Sequence, residues 1–252
     1  AQCRWPDLNR GNDPVVFGVS GTCVVRAHWG GVTVLVKLFF QRKYFDRERA
    51  GLKAMVAAGV PCPKEVWSLV DEGGGYFLAT EFLDDAVSLQ ACYQGLSVDQ
   101  LKQLLRDALV LVGQLHRAGW MQADIHLDNF MLSRGVLNAI DGGGIEPLNS
   151  PLKNLGLFFA QMTPDYDELV PEVIEAYGEA AFSLEAILSS ITRMREWRIK
   201  HYLAKTTRSC SQFDVVKSSD VFVVMVRARA SERLRRLMAE PEIAVGQAQF
   251  LK

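Results

Sequence analysis

Apolar residues along this chain change their period partway through. Residues 24–29 and 32–40 are β-branched and aromatic runs joined by Gly30-Gly31, which predicts a hairpin with a two-residue turn. Residues 66–71 and 76–83 repeat that pattern around Glu72-Gly73-Gly74-Gly75. Between the two hairpins, residues 44–58 read as a helix with Leu52, Met55 and Val56 on one face. Gly59-Val60-Pro61-Cys62-Pro63 ends it. From Ser97 the period becomes helical: Leu101, Leu104, Leu105, Ala108, Leu109, Val112 and Leu115 recur at helix spacing behind a Ser97 cap with Gln100 three residues on. Phe130-Met131-Leu132 and residues 136–140 predict two short strands flanking Gly135. Further helices are expected over 153–162, 167–177, 183–204 and 226–239. The fold class is α+β: a small antiparallel sheet with one helix, then a mainly helical part. The boundary falls near residues 83–86, giving 1–83 and 84–252.

Composition narrows the class. Hydrophobic residues make up 49% of the 252 positions and charged residues 23%, enough to bury an ordinary core. The net charge of −1 is unevenly spread. Residues 1–192 carry 15 Lys and Arg against 23 Asp and Glu, whereas residues 193–236 carry 12 against 4. A basic block behind an acidic body points to an anionic partner. Within it Arg193, Arg195, Arg198, Lys200, Lys205 and Arg208 alternate with Trp197, His201 and Tyr202. A solvated helix face explains that block as readily as an acceptor contact does, and no nucleic-acid recognition motif accompanies it. Cys3, Cys23, Cys62, Cys92 and Cys210 form no Cys-x-x-Cys pair, so a reducing, cytoplasmic setting is expected rather than a disulfide framework or a zinc site. No apolar run reaches the roughly 18–20 residues that span a bilayer.

Candidate chemistry concentrates in residues 111–129. Leu115-His116 and Gly119 lead to Asp124, Asn129 follows five residues later, and Asp141 stands twelve residues beyond, before Gly142-Gly143-Gly144. An acid, an amide and a second acid in that order fit phosphoryl transfer: Asp124 as base for an attacking hydroxyl, Asn129 and Asp141 as oxygen ligands for Mg2+ on ATP. Lys37 interrupts an apolar strand, where a cation needs a partner. Phosphates and Glu48 would supply one, Asp46 is a neighbour easily mistaken for it, and a solvent-facing edge position is the alternative. Gly18-Val19-Ser20-Gly21-Thr22 offers Gly18 and Gly21 as a phosphate cover, or simply a turn. Backbone groups near Glu81 and Leu83 would face an adenine. His116 reads as a structural brace, and His126 has no assigned role.

These residues carry a family resemblance. Val36-Lys37-Leu38-Phe39, Arg47-Glu48-Arg49 leading to Gly59-Val60-Pro61-Cys62-Pro63, residues 115–129, and Ile140-Asp141-Gly142 resemble the bacterial lipopolysaccharide core kinases of the protein-kinase-like superfamily, which phosphorylate Kdo or heptose. The resemblance implies a two-lobed fold, ATP, Mg2+ and a sugar hydroxyl as acceptor. It implies Asp124 as base, Lys37 with Glu48 as the phosphate-anchoring pair, and Asn129 with Asp141 as metal ligands. An anionic lipid-linked core oligosaccharide is the implied partner, met at the cytoplasmic face of the inner membrane. Three features depart from regulated protein kinases: Gln122 and Ala123 before the catalytic Asp, Gly142-Gly143 after Asp141, and no Ala-Pro-Glu downstream. Two other readings stay open. An aminoglycoside- or choline-type kinase would need acidic or aromatic acceptor walls, and a non-catalytic nucleotide-binding scaffold often lacks one of the four residues Lys37, Asp124, Asn129 and Asp141.

Overall fold

The computed structural model describes residues 16–19, 22–178, 182–210, 212–217, 219 and 222–239. The chain forms two compact units, Ala1–Thr192 and Arg193–Lys252.

The first unit opens with strands β1 (Val16–Val19), β2 (Thr22–Trp29) and β3 (Val32–Phe39), then helix α1 (Arg42–Ala57) and strands β4 (Glu65–Val70) and β5 (Tyr76–Glu81). The five strands form one antiparallel sheet in the order β1-β2-β3-β5-β4. Gly30 and Gly31 take φ of 56° and 84°, the left-handed pair that a two-residue hairpin turn requires. In α1, Phe45, Glu48, Leu52 and Met55 are buried, a helical repeat that includes one carboxylate. The helix stops where Gly59 adopts φ 73°.

A two-residue strand β6 (Val87–Ser88) and a short helix α2 (Leu89–Cys92) precede the long helix α3 (Val98–Arg117). Ser97 and Gln100 close a reciprocal capping box at its start. All seven apolar residues expected on its inner face are buried. Strands β7 (Trp120–Gln122), β8 (Phe130–Ser133), β9 (Val136–Ala139) and β10 (Ile145–Pro147) follow, with β7 pairing β10 and β8 pairing both β6 and β9. Next come α4 (Pro151–Phe159), α5 (Val170–Val173) and α6 (Leu184–Lys205), whose last thirteen residues belong to the second unit. One core joins Phe39, Phe45 and Met55 to Leu105, Leu109, Phe130 and Phe158.

Two expectations need correction. Residues 167–177 are not one helix but 3-10 turns at Pro164–Leu169 and Ile174–Tyr177 around the four-residue α5. Pro171 has no N–H to donate and crowds the preceding turn, so it fits the first turn of α5 but interrupts a helix running in from residue 167. Residues 226–239 are not one helix either. Val226 ends a strand in a hairpin of β11 (Phe213–Lys217) and β12 (Phe222–Val226), which the periodicity had not suggested. A 3-10 turn at Arg227–Arg229 follows, and the true helix is α7 (Glu232–Ala239), capped where Leu234 N–H donates to Ser231 Oγ at 3.2 Å. In this second unit Tyr202 meets Phe213 edge to face, and Arg227 pairs with Asp214 at 2.5 Å.

Candidate active site

Strand period places Leu35, Lys37 and Phe39 on one face of β3 and the buried Val34 and Val36 on the other. The Lys37 ammonium donates to Glu48 Oε1 at 2.6 Å and lies 3.7 Å from Asp141 Oδ1. Burial alone would depress this ammonium. The Glu48 and Asp141 carboxylates outweigh that and hold it above its ordinary value. Asp46, the other carboxylate on this helix considered as a partner, pairs with Arg42 at 3.3 Å on the exposed side.

Glu48 makes a second bond: Gly143 N–H donates to its Oε2 at 2.8 Å. This ties α1 to the backbone just past Asp141. The approach is close because both surfaces lack side chains. A Cβ on Gly51 would stand 1.9 Å from the Gly142 carbonyl oxygen, and one on Gly142 would stand 2.3 Å from the Glu48 carbonyl oxygen. Arg47 adds an ion pair to Glu146 of β10 at 2.5 Å. Asp141 itself holds φ 68°, a left-handed conformation that Asp and Asn tolerate better than most residues. Its carboxyl is raised above the usual range, first by burial and then by the Glu48 charge, with Asp124 adding to the effect and Lys37 opposing it.

The loop between β7 and β8 carries Asp124 and Asn129. Ile125 and Leu127 are buried and anchor it, while the Asp124 side chain is 80% exposed. Asn129 Nδ2 donates to the Asp124 carbonyl at 3.0 Å, and Ile140 N–H donates to the Asn129 carbonyl at 2.9 Å. Ala123 N–H donates to the Gly144 carbonyl at 2.8 Å. Hydrogen bonds therefore fix this loop directly against the Asp141 segment. Gln122, a departure noted above, is buried and donates to the Ile140 carbonyl at 2.8 Å. Behind it Asn154 Nδ2 donates to the Gln122 carbonyl, and His116 lies between Asn154 Oδ1 at 3.0 Å and Tyr177 Oη at 2.8 Å.

A cleft of about 430 Å³ opens beside Lys37, Glu48 and Asp141, with Glu81 and Leu83 along another wall. Glu81 N–H is committed to the Lys64 carbonyl at 2.9 Å. Arg26, which the sequence did not single out, also lines the cleft, with its guanidinium 4.6 Å from the Phe82 ring centre. Buried Thr80 lines it as well. Asp124 and Asn129 are not among the cleft's lining residues; they stand on the adjoining loop. Gly18 sits in β1 opposite Cys23, and Gly21 lies outside the described residues. Gln161, also missed, holds the Asp124 loop through three of its groups. Nothing in its local sequence distinguishes it from any polar residue after a helix.

Residues 27–141 match the model of the lipopolysaccharide kinase (Kdo/WaaP) family. That span runs from β2 to Asp141 and holds every candidate site residue except Gly18 and Gly21. Among solved structures, one titled "WaaP in complex with acyl carrier protein" matches with a TM-score of 0.52 at 19% identity, covering 75% of this chain and 87% of that one. At this identity the likeness carries the fold, and it agrees with the kinase-like class expected from the sequence. A comparison with curated proteins gave no significant match.

Proposed function

We propose, for a chain that belongs to the lipopolysaccharide kinase (Kdo/WaaP) family, that it transfers the terminal phosphoryl group of ATP to a hydroxyl of an inner-core heptose or Kdo. The observation that carries this reading is the Lys37–Glu48–Asp141 cluster in a cleft, hydrogen-bonded through Ile140 and Asn129 to the Asp124 loop. Lys37, oriented by Glu48, anchors ATP phosphates. The backbone near Glu81 and Leu83 meets the adenine, and Gly18 with Gly21 covers the phosphates. Asp124 accepts the acceptor hydroxyl's proton as that oxygen attacks phosphorus. Asn129 and Asp141 offer hard oxygen donors, the kind Mg2+ takes, and a cation there would oppose the burial and the Glu48 charge that raise the Asp141 carboxyl. Mg2+ would neutralise charge on the phosphates. On this reading residues 1–83 anchor the nucleotide, and residues 84–252 supply base, metal ligands and acceptor binding. The basic second unit suits an anionic lipid-linked oligosaccharide at the cytoplasmic face of the inner membrane.

The test is phosphoryl transfer by the purified chain from ATP to core oligosaccharide in the presence of Mg2+. Asp124→Ala should lower transfer by about 10²–10⁴ and leave nucleotide affinity close to that of the unmodified chain. Parallel loss of transfer and nucleotide binding would remove Asp124 as base. Failure of the unmodified chain on every core sugar would remove the acceptor assignment.

A further inference from the structure

We propose that His126 is a positioning residue for Asp124, an N–H donor that holds the carboxylate where the acceptor hydroxyl must reach it. The proposal rests on the reading of Asp124 as base.

Gln161, just past α4, donates from Nε2 to the Ile125 carbonyl at 2.8 Å, and Leu127 N–H donates to its Oε1 at 3.0 Å. A backbone carbonyl only accepts and a backbone N–H only donates, so these two contacts fix which end of the Gln161 amide is which. His126 Nδ1 lies 3.1 Å from that same Oε1. An amide oxygen only accepts, so Nδ1 carries the hydrogen. On the other side of the ring, His126 Nε2 lies 3.0 Å from Asp124 Oδ1. An ionised carboxylate also only accepts, so this contact is a hydrogen bond when Nε2 carries a proton as well, that is, when the ring is an imidazolium. The ring is then a bridge with a donor at each end, joining a loop anchored by Ile125 and Leu127 to a carboxylate.

Asp124 needs such a bridge. With 80% of its side chain exposed, its carboxylate has little steric confinement. A bond at Oδ1 limits its rotation and so fixes the direction the carboxylate presents to the acceptor. Misplacing a reacting group by about 1 Å can cost about a hundredfold in rate.

Two isosteres separate positioning from bracing. In His126→Asn the amide nitrogen stands near the Nδ1 position and keeps the Gln161 bond. In His126→Gln it stands near Nε2 and keeps the Asp124 bond. His126→Asn should retain its melting temperature and its KM for ATP while kcat falls about ten- to a hundredfold. His126→Gln should keep kcat within about threefold. Wild-type kcat in His126→Asn, or an equal fall in both variants, overturns the proposal. Crystal structures of the two variants read the same contact without turnover: the Asp124 carboxylate should keep its place in His126→Gln and leave it in His126→Asn. An unmoved carboxylate in His126→Asn overturns the positioning role even if no acceptor is ever phosphorylated, a result that would strike the acceptor assignment alone.

Discussion

His116 shows how one buried side chain sets a site it never touches. Asn154 Nδ2 is spent on the Gln122 carbonyl, so its Oδ1 must face His116, and His116 Nε2 must be the protonated nitrogen. In the neutral ring Nδ1 then accepts from the Tyr177 hydroxyl. The line continues from Gln122 to the carbonyl of Ile140, the residue before Asp141. Burial, more than the nearby Arg117 charge, pushes the His116 imidazole below its ordinary value, against a smaller opposing effect of the Asn154 bond. The sign of the pH effect follows. Below about pH 6.5 the unfolded chain takes up a proton that folded His116 refuses, so stability falls as pH falls, by at most about 1.4 kcal/mol per pH unit for one group. His116→Gln should lower the urea midpoint at pH 7.5 by the equivalent of about 1–3 kcal/mol, the cost of disturbing a buried hydrogen-bonded network. The gap to the unmodified chain should narrow as pH falls to 5.5. A gap that stays constant would mean that His116 is not held neutral. The sequence marked His116 as a brace for the loop but not the partners through which it acts, because they lie 38 and 61 residues further along the chain.

Among the elements, α1 and the Asp141 segment meet backbone to backbone, and glycine makes that possible. In an isolated helix, Gly51→Ala would stabilise by about 0.5–1 kcal/mol, because glycine is the more costly residue in a helix interior. Here the added methyl would stand 1.9 Å from the Gly142 carbonyl oxygen, a rigid backbone atom. Helix α1 would have to withdraw, carrying Glu48 away from both Lys37 and Gly143. Overpacking of this kind costs about 1–3 kcal/mol, so the clash outweighs propensity. Gly51→Ala should therefore lower the urea midpoint and reduce phosphoryl transfer together. A rise in stability with full activity would show that the two backbones are not in contact. Legibility at this scale followed the physics of each segment. Long regular periods such as that of α3, with its capping box, were readable down to single buried residues. The sequence leaves the Val-rich run of β12 unassigned apart from Val226, which it gives to a helix, because five residues are too few for period to separate strand from helix. The Gly51–Gly142 contact left no trace, since an absent side chain has no pattern.

At the level of the whole chain, charge divides where the fold divides. The first unit is acidic, and residues 193–236 carry 12 Lys and Arg against 4 Asp and Glu. The second unit also exposes large apolar side chains among those cations, with Ile199 61%, Leu203 58% and Phe222 55% accessible. Lys217 lies 5.2 Å from the centre of the Phe222 ring, so at this end of the hairpin a cation and an apolar ring share one surface. Among the described residues no helix is long and apolar enough to cross a membrane. Basic residues near an anionic bilayer contribute about 1 kcal/mol each. Arg193→Glu, Lys200→Glu and Lys205→Glu combined should therefore weaken binding to phosphatidylglycerol vesicles by about a hundredfold or more, each 1.4 kcal/mol being a factor of about ten. Co-sedimentation at several ionic strengths checks this. Binding should fade as salt shortens the screening length from about 10 Å at 0.1 M to about 3 Å at 1 M. Asp124→Ala should sediment like the unmodified chain, which separates docking from chemistry. Equal binding to neutral phosphatidylcholine, or no loss in the triple variant, would leave the basic block as a solvated face, and the acceptor would have to be recognised from the first unit alone.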